Sequence, residues 1–220
     1  MNNHDLCIHQ LSVGLIETNC YLIADPVSHN VLCIDPGGDA EKILNYCRKN
    51  HLTIDRILLT HGHYDHIGAV NAIVDLLDVS VWIHTDDADM ATQPKLNLSS
   101  LFTIPYQIHA YLNYFDLNQP VLFHGHEIKI LYTPGHTAGS VCFSGGSFLI
   151  SGDTLFRNSI GRTDFPGADP ELLIRSIKHR LMPLHDSVHV YPGHGMRTTI
   201  GNERKRNPFL TGEPPTESTI

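Results

Sequence analysis

The chain has 220 residues, 41% of them hydrophobic and 17% charged, with a formal net charge of −8. That length and apolar content suit one packed domain and exclude a disordered chain. The acidic balance lacks the basic footprint of a nucleic-acid binder.

In chain order, the opening MNNHDLCIHQL has no basic start leading into an apolar run, so no signal peptide is expected. No run of about 18 apolar residues occurs anywhere, so no membrane span is expected either. CIHQLSV and NCYLIAD read as short strands, and NVLCIDPGG as a third, closed by Pro36-Gly37-Gly38. DAEKILNYCRKN, with apolar Ile43, Leu44 and Cys47, reads as a helix capped by Asp39. TIDRILLT is a buried strand. IGAVNAIVDLLD is one helix, by the i, i+3, i+4 spacing of Ile67, Val70, Ile73, Val74 and Leu77. VSVWIH is a strand again. From Thr85 to Gln119 no clean period survives: DDADMATQP reads at most as a short helix, and the remainder as loops over one face. PVLFHGHEIKILYT is a hairpin turning at Gly125, and SVCFSGGSFLISGD another turning at Gly145-Gly146. DPELLIRSIKHRLM is a helix, SVHVYPGHG a strand and loop, RTTIGNERKRN a last helix, and the tail 208–220 is expected to fray. The order predicts an α+β fold with two sheets sandwiched between helices, in a single domain over 1–220. The five cysteines, Cys7, Cys20, Cys33, Cys47 and Cys142, are odd in number and form no C-x-x-C pair. Reduced thiols in a cytoplasmic protein are expected.

Four apolar strands end alike. RILLT runs into HGHYDH, KILYT into PGHTAG, FLI into SGDTLF and VHVY into PGHG. Each is a strand end followed by a tight glycine-containing turn, and strand ends on one sheet edge can converge on one point. His61 and His63 are two apart, so on extended backbone they point the same way. Asp65 and His66 follow where the chain turns into a helix. With His136, Asp153 and His194 these make seven candidate ligands. One zinc takes about four, so seven suit two ions sharing a carboxylate. His124 and His126 read as a solvated hairpin turn, and His4, His9, His29, His51, His84, His109, His179, His185 and His189 as structural.

These motifs resemble the metallo-β-lactamase fold hydrolases, from ETNCYLI to GNERKRNPF. Within that superfamily, TPGHTAGSVCF, SGDTLFRNSIGRTDFPG and YPGHG resemble the glyoxalase II, or hydroxyacylglutathione hydrolase, branch. The likeness is to its short form: 26 residues, 195–220, follow His194, so the C-terminal helical domain of full-length glyoxalase II is expected to be absent. The resemblance implies a four-layer αββα sandwich with the metals at one edge of the sheets. It implies that His61, His63 and His136 hold one ion and Asp65, His66 and His194 the other. Asp153 is then the bridging carboxylate, Asp65 also orients the nucleophile, and Arg162 is the basic residue that contacts glutathione. The ions are expected to be zinc, with iron or manganese as alternatives.

The expected reaction is hydrolysis of a thioester such as S-lactoylglutathione. Divalent ions lower the pKa of bound water to about 7, which supplies hydroxide at neutral pH. A thiolate leaving group has a free pKa near 8.5 and needs no general acid. The alternative is a persulfide dioxygenase of the same fold, with a similar GRTDF stretch and a single iron held by two histidines and an aspartate. Lactonases, lactamases and a metal-binding sensor are more distant possibilities. The partner expected is a small-molecule thioester linked to glutathione, with neither nucleic acid nor membrane.

Overall fold

The computed structural model describes residues 5–101 and 105–212, and within them two six-stranded sheets lie face to face. The first takes β1 (Cys7–Val13), β2 (Thr18–Ala24), β3 (Asn30–Ile34), β4 (Thr53–Leu58), β5 (Ser80–Ile83) and β6 (Leu112–Tyr114) in that order. β1 to β3 pair antiparallel, and β3 to β6 pair parallel. Parallel neighbours need a crossover. It is supplied by α1 (Ala40–Lys49) between β3 and β4, and by α2 (Tyr64–Ile67) and α3 (Val70–Leu77) between β4 and β5. α4 (Ala88–Thr92) leaves the end of β5. The second sheet runs β14-β13-β10-β9-β8-β7, from β7 (Val121–Phe123), β8 (His126–Tyr132), β9 (Val141–Ser144), β10 (Phe148–Gly152), β13 (His189–Pro192) and β14 (Thr198–Thr199). Only β10 and β13 pair parallel there. A small hairpin of β11 (Leu155–Phe156) and β12 (Ser159–Ile160) follows β10, and the later helices are α5 (Pro170–Ser176), α6 (Ile200–Arg206) and α7 (Pro208–Thr211).

The pleat of the central strands builds the layers, because successive side chains point to opposite faces. On β2 and β3, Cys20, Leu22, Val31 and Cys33 face outward, onto Ile43 and Cys47 of α1 and Val70 and Ile73 of α3. Tyr21, Ile23, Leu32 and Ile34 face inward, against Val141, Phe143, Phe148 and Ile150 of the second sheet. That sheet sends Cys142, Leu149 and Val190 outward, onto Leu173 and Ile177 and onto Ile200 of α6. Three apolar clusters between four layers are the expected αββα sandwich. Strands buried on both faces read as continuous apolar runs, which is why they were legible in the sequence.

Several local readings need correction. The helix read over IGAVNAIVDLLD is broken. α2 is a single turn, and α3 starts afresh after Gly68, where the Ala69 amide bonds the Pro36 carbonyl at 2.8 Å. Asp39 stands at the N-cap of α1 but in a left-handed conformation, φ 50°, and its carboxylate accepts from the Gly14 amide instead of from the helix. The segment read as loops contains β6, which closes the first sheet beside β5. The last helix begins later than read, since Thr198–Thr199 is a strand and α6 starts at Ile200. α5 continues as a π-helical turn over Ile177–Leu181. Within the segment read as a tail, Pro208–Thr211 forms α7, capped by Asn207, whose side chain accepts from the Phe209 amide. The rest of that tail, 213–220, and His4 lie outside the described residues.

Candidate metal centre

β4, β10 and β13 deliver chain to one edge of the sandwich. β8 and β10 each pair antiparallel with β9, so their C-terminal ends share that edge. β13 is parallel to β10, and Thr60, two residues past the end of β4, accepts at its carbonyl from the Val141 amide of β9 at 2.9 Å. The segments that follow these four strands carry all seven candidate ligands, Asp65 and His66 on the single turn of α2, and the structure brings all seven together.

Their ligand atoms form three overlapping groups, each with its members within 4.8 Å of one another: His61, His63 and His136; His61, His66 and Asp153; Asp65, His66 and His194. His63 Nδ1 lies 3.0 Å from His136 Nε2, and His194 Nε2 lies 3.1 Å from Asp65 Oδ2. Asp153 stands between the groups. Its Oδ1 is 3.3 Å from His66 Nε2, and its Oδ2 is 3.7 Å from both His136 Nε2 and His194 Nε2. His84 is elsewhere, stacked on Tyr132 with ring centroids 4.6 Å apart. His9 bonds the Tyr46 hydroxyl, His109 pairs with Asp75, and His124 meets Asn30 in the β7–β8 turn.

The residues fit divalent metal. Three buried atoms in the cluster have no hydrogen-bond partner: His61 Nε2, His66 Nε2 and Asp153 Oδ1. Orphaned buried polar atoms are costly, and here all three point into the cluster. Burial pushes His61 well below the imidazole range, and burial with the neighbouring His136 brings His63 to about 3. Neutral imidazole is the form that binds metal. His66 shows the opposite: against the burial that alone would lower it, Asp65, Asp153 and Asp35 raise it well above its usual value. Burial likewise opposes ionisation of Asp65 and Asp153, yet the histidines around them hold both below the usual carboxylate range. Carboxylates that favour positive charge on a buried imidazole also favour a cation among them.

Three of the five imidazoles, His61, His66 and His136, are also held from outside the cluster. His66 Nδ1 bonds Asp35 Oδ2 at 2.9 Å, and the same oxygen takes the Thr60 hydroxyl at 2.6 Å. Thr60 Oγ1 is 3.1 Å from His61 Nδ1, so one buried aspartate steers two ligands. His136 Nδ1 donates to the Arg162 carbonyl at 2.7 Å, and the Thr18 hydroxyl donates to Asp65 Oδ2 at 3.1 Å. Such contacts fix tautomer and ring orientation.

A second buried aspartate ties the ligand loops to each other. Asp87 Oδ2 accepts from the Gly62 amide at 3.0 Å and the Thr137 hydroxyl at 2.7 Å, and its Oδ1 accepts from the Gly139 amide at 2.7 Å. Gly62 sits between His61 and His63, and Thr137 follows His136. A Cβ at Gly139 would lie 2.7 Å from the Asp87 carboxyl carbon, so the glycine of HTAG is what lets the carboxylate close in. Glu203 of α6 is a third buried carboxylate. It accepts from the Asn158 amide, Thr198 and the Asn202 and Asn207 side chains, which anchors the hairpin that follows Asp153. Sequence reasoning missed all three. Asp35 had a signal, a charged residue between an apolar strand and Pro-Gly-Gly; Asp87 and Glu203 had none, since each sits among other polar residues.

Arg162 is 65% exposed at the side chain. Its guanidinium forks onto Asp164 at 2.9 and 2.7 Å and lies 4.3 Å from the Phe165 ring centroid. Phe165 in turn packs edge-on against His63, at 5.6 Å. The guanidinium therefore stands at the mouth of the cluster while its own carbonyl steers His136.

The profile of the Metallo-beta-lactamase superfamily matches residues 13–194, a span that contains every candidate ligand. Hydroxyacylglutathione hydrolase GloC of Haemophilus influenzae is 36% identical over 211 residues, covering 94% of this chain and 99% of that protein. Among solved structures, the BLEG-1 B3 metallo-beta-lactamase superposes with a TM-score of 0.89 at 39% identity, over 94% of this chain and all of that one. TTHA1623, crystallised in a di-iron-bound form, gives 0.80 at 35% identity, over 92% of this chain and all of that one.

Proposed function

The chain belongs to the metallo-beta-lactamase superfamily of metal-dependent hydrolases, and from that premise we propose that it hydrolyses a thioester of the 2-hydroxyacylglutathione type at a two-metal centre. The observation that carries the reading is the donor set. His61, His63 and His136 would hold one ion and Asp65, His66 and His194 the other, with Asp153 turned toward both groups. Zinc suits these nitrogen and oxygen donors; iron is the alternative, as in the di-iron form of the similar TTHA1623. Bound ions supply Lewis-acid polarisation of a carbonyl and a water acidic enough to ionise near neutral pH.

The chain's own residues do the rest. Asp65, fixed by Thr18, forms one wall of a cavity of about 300 Å³ lined also by Leu15, Ile16, Gly37 and Tyr64. That space suits a small acyl group beside a carboxylate able to orient water. A thiolate leaves without a general acid, so the reaction asks for no acid beyond the candidate ligands. Arg162, at the mouth, meets a carboxylate of the thiol carrier, in competition with Asp164. The relationship to a hydroxyacylglutathione hydrolase supports this choice of carrier. Cys20 and Cys33 keep their sulfurs 3.9 Å apart as free thiols, which fits a reducing compartment such as the cytoplasm. No helix among the described residues is long and apolar enough to cross a membrane.

The test is a steady-state comparison of S-lactoylglutathione, a β-lactam and glutathione persulfide with oxygen uptake, on one preparation. Turnover of the thioester alone supports the reading. Turnover of the lactam or consumption of oxygen, without thioester cleavage, overturns it.

A further inference from the structure

The loop that carries His194 borders a solvent-open depression of about 410 Å³, lined by the exposed residues Gln10, Arg157, Gly195, Met196 and Arg197. Two of the five residues are arginines and none is acidic, in a chain with 23 acidic and 15 basic residues. Neither arginine has an ion-pair partner among the described residues, in contrast to Arg162, which is forked onto Asp164. Arg157 Nη1 instead rests 3.8 Å from the Met196 sulfur along the wall of the depression. The backbone here is anchored. Asn19 takes the Gly193 carbonyl with its amide and the Gly195 carbonyl with its side chain, at 2.7 and 2.9 Å, and Glu203 holds the residue after Arg157 through the Asn158 amide. The depression is also tied to the metal centre. Gly195 follows His194 directly, and Phe156, which precedes Arg157, lies 6.2 Å from the His194 ring.

We propose that this depression is an anion subsite in which Arg157 and Arg197 take a carboxylate of the acyl carrier. The assignment rests on the thioester reading above and specifies it. A carrier such as glutathione bears two carboxylates, one at each end, with the thiol between them. Arg162 stands by the loop that steers His136, and the arginine pair stands by the His194 loop, so the two positive features border different ligand groups of the one centre. A planar guanidinium matches a carboxylate with two parallel hydrogen bonds. Two exposed guanidiniums without a protein counter-charge are free to take such a partner, and a carrier anchored at both ends presents its central thioester to the candidate ligands between.

The experiment compares wild type with Arg157→Gln/Arg197→Gln on two thioesters of the same 2-hydroxyacyl group, one on glutathione and one on the uncharged carrier N-acetylcysteamine. The ratio of kcat/KM for glutathione over that for N-acetylcysteamine is expected to fall about tenfold or more in the double variant, through KM for the glutathione thioester. Metal content and melting temperature are expected to stay at wild-type values. Raising ionic strength is expected to lower the same ratio in wild type and much less in the variant, because exposed charges are screened. A wild-type ratio preserved in the variant overturns the subsite while leaving the thioester reading intact. Absence of glutathione thioester cleavage by wild type overturns that reading and the subsite with it.

Discussion

Asp65 illustrates how much one side chain is asked to do. It sits in a turn of helix, takes hydrogen bonds from Thr18 and His194, neighbours His66 at 3.3 Å and lines the cavity proposed for the acyl group. Asp65→Asn keeps the volume and removes the charge. We expect kcat to drop well beyond threefold, the equivalent of about 0.7 kcal/mol, with the fold intact by circular dichroism. A kcat within threefold of wild type would show that the carboxylate is dispensable to the chemistry. Arg162 is a different case. Its guanidinium is exposed and already paired with Asp164, so a substrate carboxylate gains only the difference between two partners. Arg162→Ala is expected to raise KM for a glutathione thioester about tenfold with a smaller change in kcat, since the contact is remote from the reacting carbonyl. Equal losses on an uncharged thioester would mean that the side chain holds the loop through Asp164 and Phe165.

Elements, rather than residues, decide whether the ligands meet, and here the sequence was only partly readable. The strand ends and their glycine turns were visible because apolar runs stop abruptly at HGHYDH, PGHTAG, SGDTLF and PGHG. The devices that hold those turns together were not, because they are contacts between distant segments. Asp87 reaches Gly62, Thr137 and Gly139 across separations of 25, 50 and 52 residues. An asparagine there can face only one of the two sides with an oxygen, leaving an N–H opposed to an N–H. Asp87→Asn is therefore expected to weaken zinc at the site of His61, His63 and His136 by about 10- to 100-fold, in a competitive titration that resolves two binding steps. The site of Asp65, His66 and His194 is expected to keep its affinity; equal weakening of both would mean a general loosening of the fold. The PGH turn is under a separate constraint. Gly135 has φ +135°, and a Cβ there would fall 2.3–2.6 Å from the Leu173 backbone and side chain of α5. Gly135→Ala must push α5 off the loop, at a cost of about 1–3 kcal/mol. For a chain of this size that lowers Tm by roughly 2–4 °C per kcal/mol, and an unchanged Tm would contradict the close packing. The broken helix after HGHYDH belongs to the same class of surprise. The i, i+3, i+4 pattern ran on through Gly68, and only the Pro36 carbonyl, a neighbour in space, shows why the helix stops and restarts.

At the level of the whole molecule, the sandwich separates stability from chemistry. Three apolar clusters hold the layers, and each buried large aliphatic side chain contributes roughly 1.5–3 kcal/mol, while the candidate ligands follow strand ends at one edge. The layer order was legible because strands buried on both faces leave no polar alternation. β6 was not, since three residues inside a long irregular segment give no period and gain their identity from pairing with β5. The fold is therefore expected to survive removal of metal, so that metal content can be varied on a constant scaffold. The most direct test of the account is therefore hydrolysis of S-lactoylglutathione by metal-depleted protein, measured as zinc is restored stepwise and counted per chain. Activity is predicted to stay low through the first equivalent and to reach its plateau at about two ions per chain, the number that seven shared ligands support. Full activity at one ion per chain, or none at any loading, would contradict a two-metal thioester hydrolase.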